Sequence, residues 1–248
     1  MLKIKSFVSS LSLNSLFALV KAFKIKKDLV KWREGIEYEK ISIGQNCNTA
    51  WYLKETNNKK ASYPYDWIFS SSDIVLHSIE DNFLTFLDKV QIINLNENKA
   101  GHNYYHSNLF NHKNPLATTE NYQYYVRCVK RFRKVLTNNE PILFVCFIIH
   151  EPEKRITWSK GFDKQYVMPI NQNKKTFEDL IYTVKQYNKK SKFLFINQYT
   201  EGKLNLEYEV SSDVFWLNFT SKGKNTGLKY LNFIDDNIIK TIFKGLKG

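Results

Sequence analysis

Three cysteines and five histidines are the residues of this 248-residue sequence best suited to nucleophilic chemistry, and one cysteine is placed for it. Cys47 closes the turn Gly44-Gln45-Asn46-Cys47, between a strand-like run at Tyr38 to Ile43 and a helix-like run at Cys47 to Lys54. A thiol at the start of a helix meets unpaired backbone N–H groups and the positive end of the helix dipole. Both favour the thiolate, and both can hold the oxyanion of an attacked carbonyl. Gly44, Gln45, Asn46 and Asn48 are therefore the expected oxyanion or substrate contacts. The plain alternative is a small apolar residue buried in the first helical turn, the common fate of a free cysteine. Cys128, beside the apolar face of a helix, and Cys146, inside an apolar run, read as core.

A thiol nucleophile needs a base. Among His77, His102, His106, His112 and His150, two are well placed: His106 in an aromatic and polar loop, and His150 immediately after the apolar run Ile142 to Ile149. In Tyr63-Pro64-Tyr65-Asp66-Trp67-Ile68 a single carboxylate sits among aromatic rings and requires a hydrogen-bonding or cationic partner. Asp66 can orient a catalytic histidine or cap a helix, and Trp67 is an expected substrate contact. The cysteines form no CxxC pair or His/Cys cluster, so no metal site is expected.

These residues need a scaffold that brings chain-distant segments to one edge. Ile142 to Ile149 is unbroken in its apolarity, the mark of a strand covered on both faces. Further strands are expected at Lys192 to Ile196 and Val214 to Leu217. Helices are expected at Asp73 to Leu87, over Tyr122 to Leu136, at Phe177 to Tyr187 (capped by Thr176 and Asp179) and at Phe233 to Leu246. Val90 to Asn94 and Asn103 to Tyr105 read as a hairpin. This alternation predicts an α/β fold, a single three-layer domain over residues 36–248 with a mostly parallel central sheet. Ligands of such sheets gather at the carboxyl ends of the strands. Residues 1–30 are expected to form a basic amphipathic helix whose apolar side is drawn from Ile4, Phe7, Val8, Leu11, Phe17, Val20 and Phe23. It either packs on the domain or meets an anionic membrane surface through residues 1–27.

The sequence has 37 Lys and Arg against 24 Asp and Glu, a formal net charge of +13. That balance favours anionic partners, but no nucleic-acid motif accompanies it and no specific nucleic acid is expected. No apolar run reaches the length of a membrane span. The charged Lys21 to Lys27 segment follows the first apolar stretch where a signal peptide would carry its cleavage site, so the segment is expected to be retained. The odd cysteine count excludes complete internal disulfide pairing, and the expected location is the cytoplasm, peripheral to the inner membrane.

The segments Ile41-Ser42-Ile43-Gly44-Gln45-Asn46-Cys47, Ala50-Trp51-Tyr52-Leu53 and Tyr63-Pro64-Tyr65-Asp66-Trp67-Ile68-Phe69-Ser70 resemble a bacterial and viral domain family of unknown function labelled papain-like cysteine peptidase. His106-Ser107-Asn108-Leu109-Phe110 resembles the family's later His-containing element, without its Asp. The resemblance implies Cys47 as nucleophile, His106 as base and Asp66 as a site residue. A strand running straight into the cysteine turn is unlike the true papain fold and closer to SGNH-type hydrolases and acyltransferases, although no histidine follows His150 to match their late Asp-x-x-His.

The reading that joins these observations is a cysteine-nucleophile acyl-transfer enzyme acting on a cell-surface glycan such as capsule or lipopolysaccharide. Acyl-CoA is a donor whose phosphates Lys and Arg can hold. A cysteine peptidase is the same chemistry with a peptide substrate. A non-catalytic anion- or membrane-binding module, with Cys47 buried and the cationic helix face of Arg127 to Lys134 as its contact, is the alternative of a different class.

Overall fold

The computed structural model describes residues 12–150 and 174–247. Five strands form the central sheet: β1 (Glu39–Ser42), β4 (Ile142–Ile149), β5 (Lys192–Tyr199), β6 (Asn205–Val210) and β7 (Val214–Thr220), in the order β1-β4-β5-β7-β6. All neighbours run parallel except β6, which pairs antiparallel with β7 at the edge. A separate two-stranded sheet joins β2 (Ile92–Asn94) to β3 (Ala100–His102).

Alternation along the strands builds two cores. Ile41, Phe144, Cys146, Ile148, Phe193, Phe195 and Trp216 face one side. There they meet α3 (Ser72–Glu80), α4 (Leu84–Leu87), α5 (Thr119–Thr137) and α6 (Lys174–Tyr187). Leu143, Val145, Phe147, Leu194, Ile196, Phe215 and Leu217 face the other. They meet α1 (Leu13–Trp32), α2 (Cys47–Glu55) and α7 (Phe233–Phe243). The expected three-layer α/β arrangement with a mostly parallel sheet is what these residues form, because strands apolar on both faces must be covered on both faces.

Several expectations are corrected locally. The helix expected over Asp73 to Leu87 is broken, because Asn82 and Phe83 adopt left-handed φ of 57° and 62° and separate α3 from α4. The second hairpin strand lies at Ala100–His102 rather than Asn103 to Tyr105, paired Ile92 to His102. The helix expected from Phe177 already starts at Lys174, so Thr176 lies within it. The final helix ends at Phe243 and continues as a 3-10 turn, Lys244–Leu246.

Helix α1 is the largest correction. Ile4, Phe7, Val8 and Leu11 lie outside the described residues. In the described part, the packed stripe is Ala18, Ala22, Ile25, Leu29 and Trp32, whereas Phe17, Val20 and Phe23 are 69%, 61% and 55% exposed. The small alanines let the backbone approach its neighbours closely, which the phenylalanines would prevent. At the same seam a Cβ on Gly245 would lie 2.9 Å from the Lys26 carbonyl oxygen. Arg33 closes the helix by donating to Gly245 O and Ile36 O, both at 3.1 Å.

Candidate active site

The turn that carries Cys47 is built on the carboxyl end of β1. Ile43 N–H donates to Val145 O at 3.0 Å and Gln45 N–H to Phe147 O at 3.1 Å, which extends the parallel ladder beyond the strand itself. Gly44 has φ +112°, and a Cβ there would meet Ser70 Oγ at 2.1 Å, so only glycine fits. Its carbonyl accepts from Thr49 Oγ1 at 2.7 Å, holding the first turn of α2 against the strand. Asn46 is the N-cap of α2: its Oδ1 accepts Asn48 N–H at 2.9 Å.

These bonds sort the expected oxyanion donors. The Gln45 N–H belongs to the sheet, and its side-chain Oε1 accepts Ile149 N–H at 2.9 Å. The Asn48 side chain turns away and donates to Leu228 O at 2.8 Å and Asn225 Oδ1 at 3.4 Å. That places it in a polar network with Gln198 and Tyr230 on the α2 side of the sheet. What remains at the thiol is the Cys47 amide itself, bonded to its own sulfur; in the residue before it, the Asn46 amide Nδ2 is buried without a hydrogen-bond partner among the described residues.

Cys47 is 4% exposed. Burial pushes its thiol up to about 12; its own backbone N–H opposes this, and the nearby Asp66 carboxylate adds to it. The helix terminus therefore does not yield a resting thiolate, because desolvation outweighs the dipole. Cys128 and Cys146 are buried too, and burial raises both.

Asp66 is fully buried. It forms an ion pair with the largely buried Lys59 side chain and accepts Tyr63 N–H at 2.7 Å, so it folds the Tyr-Pro-Tyr-Asp turn back on itself. Burial pushes its carboxyl up, against the pull of Lys59. No bond joins it to a histidine. Trp67, half-buried in the same turn, has no hydrogen bond among the described residues.

The two histidines differ sharply. His106 Nε2 lies 3.0 Å from Phe69 O, and its Nδ1 accepts Asn108 N–H at 3.2 Å, so the proton is on Nε2 and both nitrogens are engaged. Burial lowers it to about 4. It clamps the Phe69 segment. His150 stands at the carboxyl end of β4, stacked on Tyr199 with ring centroids 5.2 Å apart. Its Nε2 lies 2.7 Å from Asn197 Oδ1, and Asn197 Nδ2 donates to Asn218 Oδ1 at 2.7 Å. Since Asn197 Oδ1 can only accept, His150 carries its proton on Nε2 and its basic lone pair on Nδ1. Neither imidazole is hydrogen-bonded to Cys47 among the described residues.

Sequence reasoning missed Asn197, Asn218 and Lys59. The first two were legible in part: Phe193-Leu194-Phe195-Ile196-Asn197 and Val214-Phe215-Trp216-Leu217-Asn218 both end an apolar strand run in Asn, at the edge where ligands gather.

Residues 38–114 match a protein-family model described as "Putative papain-like cysteine peptidase". The matched stretch carries Cys47, Asp66, Trp67 and His106 but stops before His150 and Asn197. No curated protein and no solved structure matches the chain. The similarity thus falls on the turn, the Asp66 loop and the His106 clamp, the segments that hold the thiol in place.

Proposed function

We propose that the protein is a cysteine-nucleophile enzyme of acyl transfer or hydrolysis, with Cys47 as nucleophile and His150 as base. The observation that carries this reading is the placement of Cys47 as the first residue of α2, at the carboxyl end of a parallel strand and directly after Asn46, whose buried Nδ2 has no hydrogen-bond partner among the described residues. The alternating three-layer order supports an arrangement of the SGNH type over a papain-like one.

With the thiol held near 12, proton transfer accompanies attack instead of preceding it. Sγ forms a bond to the substrate carbonyl carbon as its proton passes to His150 Nδ1. The carbonyl oxygen becomes an oxyanion held by the Cys47 N–H and Asn46 Nδ2. The carbon–leaving-group bond then breaks, the departing atom takes the proton from the imidazolium, and a thioester remains on Cys47. Water or an acceptor hydroxyl, deprotonated by His150, releases the acyl group and restores the thiol. Asn197 fixes the tautomer and ring plane of His150 and is a positioning residue.

Water as acceptor gives the peptidase described for the matching family. A glycan hydroxyl gives a transferase, and the +13 charge supports an acyl-CoA donor or an acidic glycan handled at the cytoplasmic face of a membrane. The 4% exposure and raised pKa of Cys47 favour the second reading, a non-catalytic module with a core thiol.

Incubation with a panel of acyl thioesters and activated peptide esters, followed by intact and peptide mass spectrometry, separates the two. The expected result is an acyl adduct on Cys47, absent in Cys47→Ser and slowed about a hundredfold or more in His150→Ala. Adducts spread equally over Cys47, Cys128 and Cys146, or appearing only on unfolding, would establish the binding module.

A further inference from the structure

The outer face of α1 divides along its length. At about 100° per residue, Leu13, Leu16, Phe17, Val20 and Phe23 share the side opposite the packed stripe, and beyond them Lys24, Lys27, Lys31 and Val30 continue it. The five apolar residues of the first half are 72%, 43%, 69%, 61% and 55% exposed. Isolated exposed apolar side chains are ordinary, but five in successive turns of one helix form a contiguous patch. Phe23, Lys27, Val30 and Lys31 also line a shallow apolar groove.

The acidic residue of this helix, Asp28, lies off the outer face, and Glu34, just past its end, is exposed but paired. Asp28 accepts from Tyr208 Oη at 2.5 Å, and Glu34 pairs with Lys192 at 2.9 Å. The outer face of the helix itself is therefore apolar and cationic, with no carboxylate among the residues named above. Ala22, Ile25 and Leu29 are fully buried, which fixes the helix rigidly with this side outward.

We infer that this face docks on an anionic lipid bilayer, lying in the interface rather than crossing it. No helix among the described residues is long and apolar enough to span a membrane. The apolar half would enter the acyl boundary while the lysine stems reach along it and place their ammonium groups at lipid phosphates. Charge complementarity selects this occupant over a second copy of the chain, since pairing this face with itself would set Lys24, Lys27 and Lys31 against a protein already carrying +13. The inference is independent of the chemistry at Cys47.

Vesicle co-sedimentation of the full chain tests it, using phosphatidylcholine with and without phosphatidylglycerol. Binding should require the anionic lipid and weaken as salt rises. The triple variant Lys24→Glu, Lys27→Glu, Lys31→Glu should bind at least about a hundredfold more weakly, the loss expected for removing three lysines from an anionic surface. Phe17→Ser with Phe23→Ser should lose about tenfold or more, and because both side chains are exposed the melting temperature should hold. Equal sedimentation with neutral and anionic vesicles, or variants that bind like the parent, would overturn the inference. So would a parent that ignores vesicles and forms a dimer which the Phe17→Ser, Phe23→Ser variant dissolves, as equilibrium sedimentation would show.

Discussion

Gln45 Oε1 accepts the Ile149 N–H at 2.9 Å, so the residue two before the thiol is tied to the residue immediately before His150. β1 is too short to pair with the end of β4 by backbone alone, and a side-chain amide completes the ladder.

Gln45→Ala should leave the buried Ile149 N–H unpaired and cost roughly 1–3 kcal/mol. It should also loosen His150 relative to Cys47. Chemical denaturation measures the first effect; the rate of Cys47 acylation, expected to fall more than the stability loss explains, measures the second.

Gly44 is held at φ +112° with Ser70 Oγ where a Cβ would sit. Gly44→Ala should destabilise by about 2–4 kcal/mol, combining left-handed strain with overpacking. Adding Ser70→Ala removes the clash but not the strain, so the double variant should recover only part of the loss in urea unfolding.

Asp66 and Lys59 form a buried pair. Asp66→Asn should cost roughly 3–5 kcal/mol, because it strands a buried ammonium, whereas Asp66→Asn with Lys59→Met should recover much of it. Removing the carboxylate should also lower the Cys47 pKa, since that charge opposes the thiolate. The pH dependence of Cys47 alkylation in the double variant reads this directly.

His106 is held neutral in the folded protein, lowered to about 4 from an ordinary 6.5. The unfolded chain takes up a proton near pH 6.5 and the folded one near pH 4. Stability from this group is therefore complete above pH 6.5 and lost as the pH falls toward 4. The loss should be on the order of 3 kcal/mol from His106, and His102, which burial also lowers, adds to it in the same direction. Unfolding free energies measured across this range should slope less in His106→Asn. Acylation of Cys47 in that variant should persist, the opposite of His150→Ala.

The sequence by itself determined the layers and the position of the thiol. Ile142 to Ile149 is apolar at every position, which only a strand covered on both faces satisfies, and Gly44 ahead of Asn46-Cys47 marks a tight turn with an N-cap wherever the chain folds. Strand β6 was also legible in the alternation Leu206, Tyr208, Val210.

Tertiary structure decided the rest. Whether a thiol at a helix start becomes a thiolate depends on the balance of dipole, desolvation and neighbouring charge, and the burial of Cys47 and the opposing charge of Asp66 are both set by tertiary packing. Which side of α1 packs was undecidable from periodicity, because apolar residues lie all round it. Close contact with α7 and Gly245 chose the alanines and left the phenylalanines outside. The tautomer of each histidine was likewise set by partners remote in sequence: Phe69 and Asn108 engage both nitrogens of His106, while Asn197, held in turn by Asn218, places the proton of His150 on Nε2.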